Sequence, residues 1–520
     1  VRRGIREIAG RFFVFGAGAT GEKGAIPPEF LEWARKGVSG IVLFSRNLIE
    51  PLQVWNLTRL VRELFPFEPF IMSDEEGGDI KRLTTGVTRG INAMGLAATG
   101  NPENGRRMTQ TIGEELRAVG INTVLSPVLD VNCESGNPII GSRAFSDQAE
   151  KVIEYAKPYA QGFKQSGILT AGKHFPGHGA ATVDSHLDLP VVDRSREEIE
   201  EHLRPFAALV QEGLLDMIMS AHILYPKISA EPATLSKIFI TDIIRNEIGF
   251  DGLTITDCME MNAMKEKFGV EQATVRSFNA GMDLILISHT PELQRKAMDA
   301  FVDAVETGEI PYKRVQESVE RIERSRSRLT ANISRFERPF SLNQVVDFFH
   351  GKTDKLDMKL VRESMVLHHG EIQPYKKEER LIVFDFMPFI TGIGEENTTA
   401  ADMKTAFGER FSQFEYYTLP YSESAEAILD RVRGIHARII LITRTRGRSP
   451  ARKVQSLLNT LCDWFPDNLH VSGRDPYDIC VIEHSKAALA TFGLSPYQLK
   501  GLIQVLSGDW IPKGRMPVSL

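Results

Sequence analysis

Cysteine is scarce in this 520-residue chain, and what there is lies scattered. Cys133, Cys258, Cys462 and Cys480 form no Cys-x-x-Cys pair. Neither a disulfide framework nor a cysteine-built structural zinc site is therefore indicated. No run approaches about 18 uninterrupted apolar residues, which excludes a membrane-spanning helix. Charge of one sign is also missing. The 62 Lys and Arg stand against 68 Asp and Glu, a formal charge of −6, which gives no general attraction to nucleic acid or to an anionic membrane. Several catalytic signatures are absent too: no Gly-x-Ser-x-Gly elbow, no P-loop, and no Gly-x-Gly-x-x-Gly in a dinucleotide-binding context. Hydride and phosphoryl transfer lose their usual signals, and no cofactor is expected. With 42% hydrophobic and 25% charged residues, disordered, collagenous and coiled-coil chains are ruled out as well.

What is present is a repeating unit. Short apolar, β-branched runs recur at 12–15, 40–44, 69–72, 124–128, 168–171, 217–220, 253–255 and 284–287. Amphipathic stretches such as 53–64, 106–119, 147–165 and 196–211 lie between them. Near-continuously apolar strands alternating with helices predict a parallel sheet covered by helices. Eight such units predict a (β/α)8 barrel, with a doubly wound open sheet as the alternative. A charged helix over 312–329 would close the outer ring. The barrel is placed at 1–335 and a linker at 336–360, where periodicity fades. A smaller α/β sandwich is placed at 361–520, with strands expected at 380–386, 438–443 and 478–483 and helices around 425–433, 451–461 and 496–506.

A parallel barrel carries its working groups just beyond the C-terminal ends of its strands. The third run leads into Asp74-Glu75-Glu76-Gly77-Gly78 and the fourth into Asp130. The fifth ends in Lys173-His174-Phe175-Pro176-Gly177-His178-Gly179, the sixth in Ser220-Ala221-His222, the seventh in Thr256-Asp257, and the eighth in Ser288-His289. His174, His178, His186, Asp184 and His222 are of zinc-binding type, but His-x3-His on a Pro/Gly-rich loop lacks a rigid helical face; no metal is expected. What remains is acid–base or nucleophilic work by carboxylate and imidazole, and sugar hydrolysis is the natural candidate. Its oxocarbenium-like transition state needs a carboxylate near the anomeric carbon and a proton donor for the leaving oxygen.

These same residues resemble the N-acetyl-β-glucosaminidase branch of glycoside hydrolase family 3. The resemblance rests on Lys173–Gly179 followed by Asp184-Ser185-His186, on Asp74–Gly78, on Pro127–Asp130 with Asn137–Phe145, on Met219–His222 and Thr256–Met261, and on the terminal Arg515-Met516-Pro517-Val518. It implies Asp257 as nucleophile, although an Asp ahead of an amphipathic run is by itself an ordinary helix N-cap. It implies His186 as general acid/base with Asp184 as its partner. It further implies that Asp74, Arg143, Lys173 and His174 grip a non-reducing N-acetylglucosamine, with Arg82, His178 and His222 as further contacts; a packing role for the last two stays open. Asp79 stands where the family usually has Arg, and Cys258 where a second Asp is common. The implied activity is a retaining, exo-acting β-N-acetylglucosaminidase on an amino-sugar oligosaccharide, either muropeptide or chito-oligosaccharide. A phosphorylase on the same scaffold and an inactive sugar-binding protein are the alternatives. Scattered thiols fit a reducing compartment and a cytoplasmic protein. The opening Val1-Arg2-Arg3, without Met, is read as a trimmed start that leaves an exported form open.

Overall fold

The computed structural model describes residues 2–16, 27–183, 188–335, 340–352, 354–387, 398–420, 425–447 and 452–520. Eight strands form the expected barrel: β1 Phe13–Gly16, β2 Gly40–Leu43, β3 Phe70–Ser73, β4 Thr123–Val124, β5 Leu169–Phe175, β6 Met217–Ser220, β7 Leu253–Thr256 and β8 Ile285–Ile287. They pair in the order β8-β1-β2-β3-β4-β5-β6-β7, each pair parallel. A bridge from Ile255 to Leu284 brings β7 against β8 and all but closes the cylinder. Every residue of these strands is buried. Inward side chains fill the cylinder and outward ones meet the surrounding helices, so apolar residues are needed on both faces. That is why the strands read as unbroken apolar runs rather than as alternations. Among the described residues no helix is long and apolar enough to cross a membrane.

The closing helix, Tyr312–Arg335, is fastened by charge. Asp283, at the entry to β8, is fully buried. Its carboxylate meets Arg245 at 2.6 Å and Arg314 and Arg321 at 3.3 Å each. It also accepts hydrogen bonds from the Ser318 hydroxyl (2.6 Å) and the backbone N–H of Thr254 in β7 (3.1 Å).

The C-terminal part is built on a second sheet of β9 Val366–His369, β10 Arg380–Met387, β11 Gln413–Pro420, β12 Arg438–Thr443, β13 Asn468–Ser472 and β14 Ala487–Ala490, in the order β9-β14-β13-β12-β10-β11. Only the β9–β14 pair is antiparallel among them. Along β12, Ile439 and Leu441 pack in one apolar cluster and Ile440 and Ile442 in another. Helices therefore cover both faces, as a layered sandwich requires. One expected strand is corrected. Residues 478–483 do not join the sheet; Pro476–Val481 forms a tight helical turn instead. Pro476 fits the first position of a helical turn, where its missing N–H costs nothing. The Asp478 carboxylate then accepts from the Thr445 hydroxyl at 2.8 Å. The helix Leu342–Phe349 lies within the stretch expected as a linker, and a second, Lys355–Ser364, begins in it and runs past its end. The first opens on a reciprocal cap between Ser341 and Gln344.

Removing the negative charge shared by three guanidinium groups leaves their positive charge unbalanced. Asp283→Asn is expected to cost about 3–5 kcal/mol in urea unfolding; a loss below about 1 kcal/mol would show that the arginines find other partners.

Candidate active site

One cavity of about 300 Å³ opens at the C-terminal end of the barrel. Asp74, Arg82, Arg143, Lys173, His174, His178 and Asp257 all line it. Asp184 and His186, the expected proton-transfer pair, lie outside the described residues.

The wall from β3, β4 and β5 is an alternating ion network. Lys173, near the end of β5, sits 2.9 Å from Asp74 and 2.7 Å from Glu76. Asp74 also takes Arg82 at 3.1 Å. Arg143 forks onto Glu76, with Nε at 2.9 Å from Oε2 and Nη2 at 2.8 Å from Oε1. Burial alone would raise both carboxyls. The Arg143 guanidinium and Lys173 ammonium outweigh it at Glu76 and hold it at about 2. Lys173 and Arg82 hold Asp74 well below the usual carboxylate range. Burial would lower the pKa of Lys173, yet the two carboxylates keep it raised. Asp74, Glu76 and Lys173 therefore stay charged at neutral pH. Two of the three Lys173 protons face carboxylates, which leaves one to donate, and each Asp74 oxygen keeps a second lone pair.

Asp130 braces the next loop from behind. Its carboxylate meets His174 Nδ1 at 2.7 Å and accepts the backbone N–H of His178 at 2.6 Å. Burial opposes its ionisation, but the two imidazoles hold it at about 2. His178, buried and beside His174, is pushed down to about 4, so it is neutral at pH 7. The loop lies so close to the β4 segment that a Cβ at Gly179 would come within 1.9 Å of the Val131 carbonyl oxygen.

Asp257 comes from the end of β7. Its backbone N–H donates to the Ser220 carbonyl at 3.2 Å, and its Oδ1 accepts from the Cys258 N–H at 2.7 Å. The next helix begins at Asn262 with Met261 in the capping position, so Asp257 is not its N-cap. His222 is not brought to the cavity wall. Its ring nitrogens lie 2.8 Å from the Thr234 hydroxyl and 3.1 Å from the Cys258 carbonyl, which places it as a strut under the Asp257–Cys258 turn. Cys258 lines the cavity, and burial pushes its thiol up to about 12, so it contributes no charge. Asp79 faces away from the cavity toward Asn92 and Arg474. Among the described residues no cluster of three or more His, Cys, Asp or Glu side chains could hold a metal ion.

Two acids of the cavity went unnamed as site residues. Glu76 was legible in principle: residues two apart on an extended segment share a face, so Glu76 follows Asp74 while Glu75 turns into the protein and pairs with Lys81 at 2.6 Å. Glu260 accepts the backbone N–H of His289 at 2.5 Å, a partnership across strand ends that no local pattern announces.

Residues 29–325 match the model of the glycosyl hydrolase family 3 N-terminal domain. The chain belongs to that family. Among curated relatives, beta-hexosaminidase A of Pseudoalteromonas piscicida is 33% identical over 334 residues, 58% of this chain and 56% of that protein. The chain thus matches little more than half the length of that relative. Beta-hexosaminidase of Nitrosomonas eutropha is 33% identical over 292 residues, 54% of this chain and 83% of that protein. A solved glycoside hydrolase family 3 beta-N-acetylglucosaminidase from Paenibacillus sp. str. FPU-7 superposes with a TM-score of 0.87 at 30% identity, covering 99% of each chain. That likeness spans the barrel and the second sheet alike.

The depressed Glu76 carboxyl makes acid stability a test of the network. A folded-state value of about 2 against the ordinary 4.5 means a contribution present above pH 4.5 and lost as pH falls through about 2. Glu76→Gln is expected to flatten the decline in unfolding free energy over that window, followed by urea melts at stepped pH. An acid limb identical to that of the parent would contradict the assignment.

Proposed function

We propose that the protein is a retaining, exo-acting β-N-acetylglucosaminidase that releases terminal N-acetylglucosamine from muropeptides or chito-oligosaccharides. The observation that carries this reading is the pairing, across one cavity, of Asp257 with the Asp74–Lys173–Glu76–Arg143 wall. A carboxylate at a strand end is the nucleophile needed to form a covalent glycosyl-enzyme. The opposite wall offers fixed donors and acceptors for sugar hydroxyls, with charges already balanced before the substrate arrives. A cavity of about 300 Å³ lies at the small end of ligand pockets, about 300–1,000 Å³, and suits one sugar ring rather than a threaded polymer. The names carried by the relatives and by the Paenibacillus enzyme support a β-hexosaminidase.

In this reading Asp257 attacks the anomeric carbon while His186, oriented by Asp184, protonates the leaving oxygen. His186 then takes the proton from the water that releases the sugar. A group that must donate and then accept a proton works best with a pKa near neutrality, which imidazole supplies.

Asp257→Gly is expected to lose activity by a factor on the order of 10^4, with azide restoring part of it on an activated aryl glycoside. Near-parental turnover, or inversion at the anomeric carbon seen by NMR, would overturn the nucleophile. His186→Ala should slow cleavage of natural disaccharides by about 10^2 to 10^4-fold but hardly affect glycosylation by a dinitrophenyl glycoside, whose phenolate departs unprotonated. Equal losses on both substrates would mean that the residue binds sugar rather than moves protons.

A further inference from the structure

The second domain reaches the cavity through the loop that carries Arg143. Arg143 ends the turn Gly141–Arg143, between two anchors contributed from the far end of the sequence. On one side lies Asp475, on the loop after β13, which is 2% exposed. Its Oδ1 accepts the backbone N–H of Ser142 at 2.7 Å, and its Oδ2 accepts the N–H of Gly447, after β12, at 2.8 Å. The contact is tight: Gly141 has φ +45°, and a Cβ there would come within 2.1 Å of the Asp475 carboxylate. On the other side the terminal segment singled out in the sequence lies along the barrel. The Pro517 carbonyl accepts the Ser146 hydroxyl at 2.6 Å, and the Arg515 N–H donates to the Ala98 carbonyl at 2.8 Å.

A third tie shows strain. Phe492, next to β14, has φ +55°, a conformation costly for a bulky L-residue. Its carbonyl accepts Asn92 Nδ2 at 2.6 Å. The same nitrogen lies 3.0 Å from Asp79 Oδ2 and 3.4 Å from the Ser142 hydroxyl. Asp79, which departs from the family pattern, therefore belongs to this junction.

We propose that Asp475 is a positioning residue for the sugar-binding site: by holding the Ser142 N–H it fixes the turn from which Arg143 reaches Glu76. Through this contact the second domain sets the grip on the non-reducing sugar. This rests on the reading of Arg143 as a sugar-binding residue. A carboxylate is suited to the task because it accepts from the barrel and from its own domain at once, whereas an amide there would turn one N–H against another.

The test is a double-mutant cycle in the full-length chain with an aryl N-acetyl-β-glucosaminide, reading KM, kcat and inhibition by free N-acetylglucosamine. Asp475→Ala is expected to raise KM and the inhibition constant by about ten-fold, with kcat changing less, because a loop displaced by an ångström loosens binding geometry. In an Arg143→Ala background the same change should add less than about two-fold, since both variants remove one interaction. Asp475→Asn, which keeps the volume, should move KM in the same direction by a smaller factor, and it decides the matter should the alanine variant not fold. Unchanged KM in both Asp475 variants, or effects that multiply with that of Arg143→Ala, would overturn the proposal. An Arg143→Ala variant with unchanged KM would overturn the sugar-binding reading itself, and the proposal with it.

Discussion

The cavity wall at the barrel mouth depends on charges of opposite sign held against one another. Arg82, Asp74, Lys173, Glu76 and Arg143 form a chain of alternating signs, in which Lys173, Glu76 and Arg143 are buried. Taking such groups out of water is expensive, and the expense is met only when each has its partner at hydrogen-bonding distance. The chain therefore constrains three strand ends at once: β3 through Asp74 and Glu76, the β4 loop through Arg143, and β5 through Lys173. A shift in any one strand would leave a buried charge exposed to low dielectric. Rigidity of this cavity wall follows from electrostatics rather than from tight apolar packing.

The sequence made the barrel legible because its strands are buried on both faces. Apolar runs such as Phe70–Ser73 and Met217–Ser220 admit little else when helices follow at regular spacing. The rim was legible for a related reason: Lys173, His174 and Asp257 interrupt apolar strands at the one end where the fold tolerates polarity. The second sheet was harder to read. Ala487–Ala490 is mostly alanine, with no β-branched or aromatic residue to mark a strand, and Gln413–Pro420 carries aromatic residues among polar ones rather than an apolar run. Ile479 to Ile482 carries one and yet lies outside the sheet, because Pro476 sets the preceding backbone. His222 shows the limit in the other direction: its residue type is that of a site, while its surroundings make it a support.

Distance along the chain explains the remaining omissions. The Glu260–His289 contact, the Asp475–Ser142 contact and the Phe492–Asn92 contact each join segments whose separate sequences say nothing of one another. Asp79 stands out in the sequence only as a departure from the family pattern. In the folded protein it is one side of a polar junction with Asn92, Phe492 and Arg474, which accounts for an acid where the family usually has a base.

The separation between Ser142 and Asp475, 333 residues, also sets an order of events at the ribosome. A chain emerging N-terminus first can pair β3, β4 and β5 while most of it is still unmade, since domains fold largely as they appear. The cylinder is sealed only when β8 arrives to lie beside β1. The Arg143 turn meets its acceptor later still, once Asp475 has been made 333 residues after Ser142. The turn that carries Arg143 is thus fixed well after the strands around it have paired.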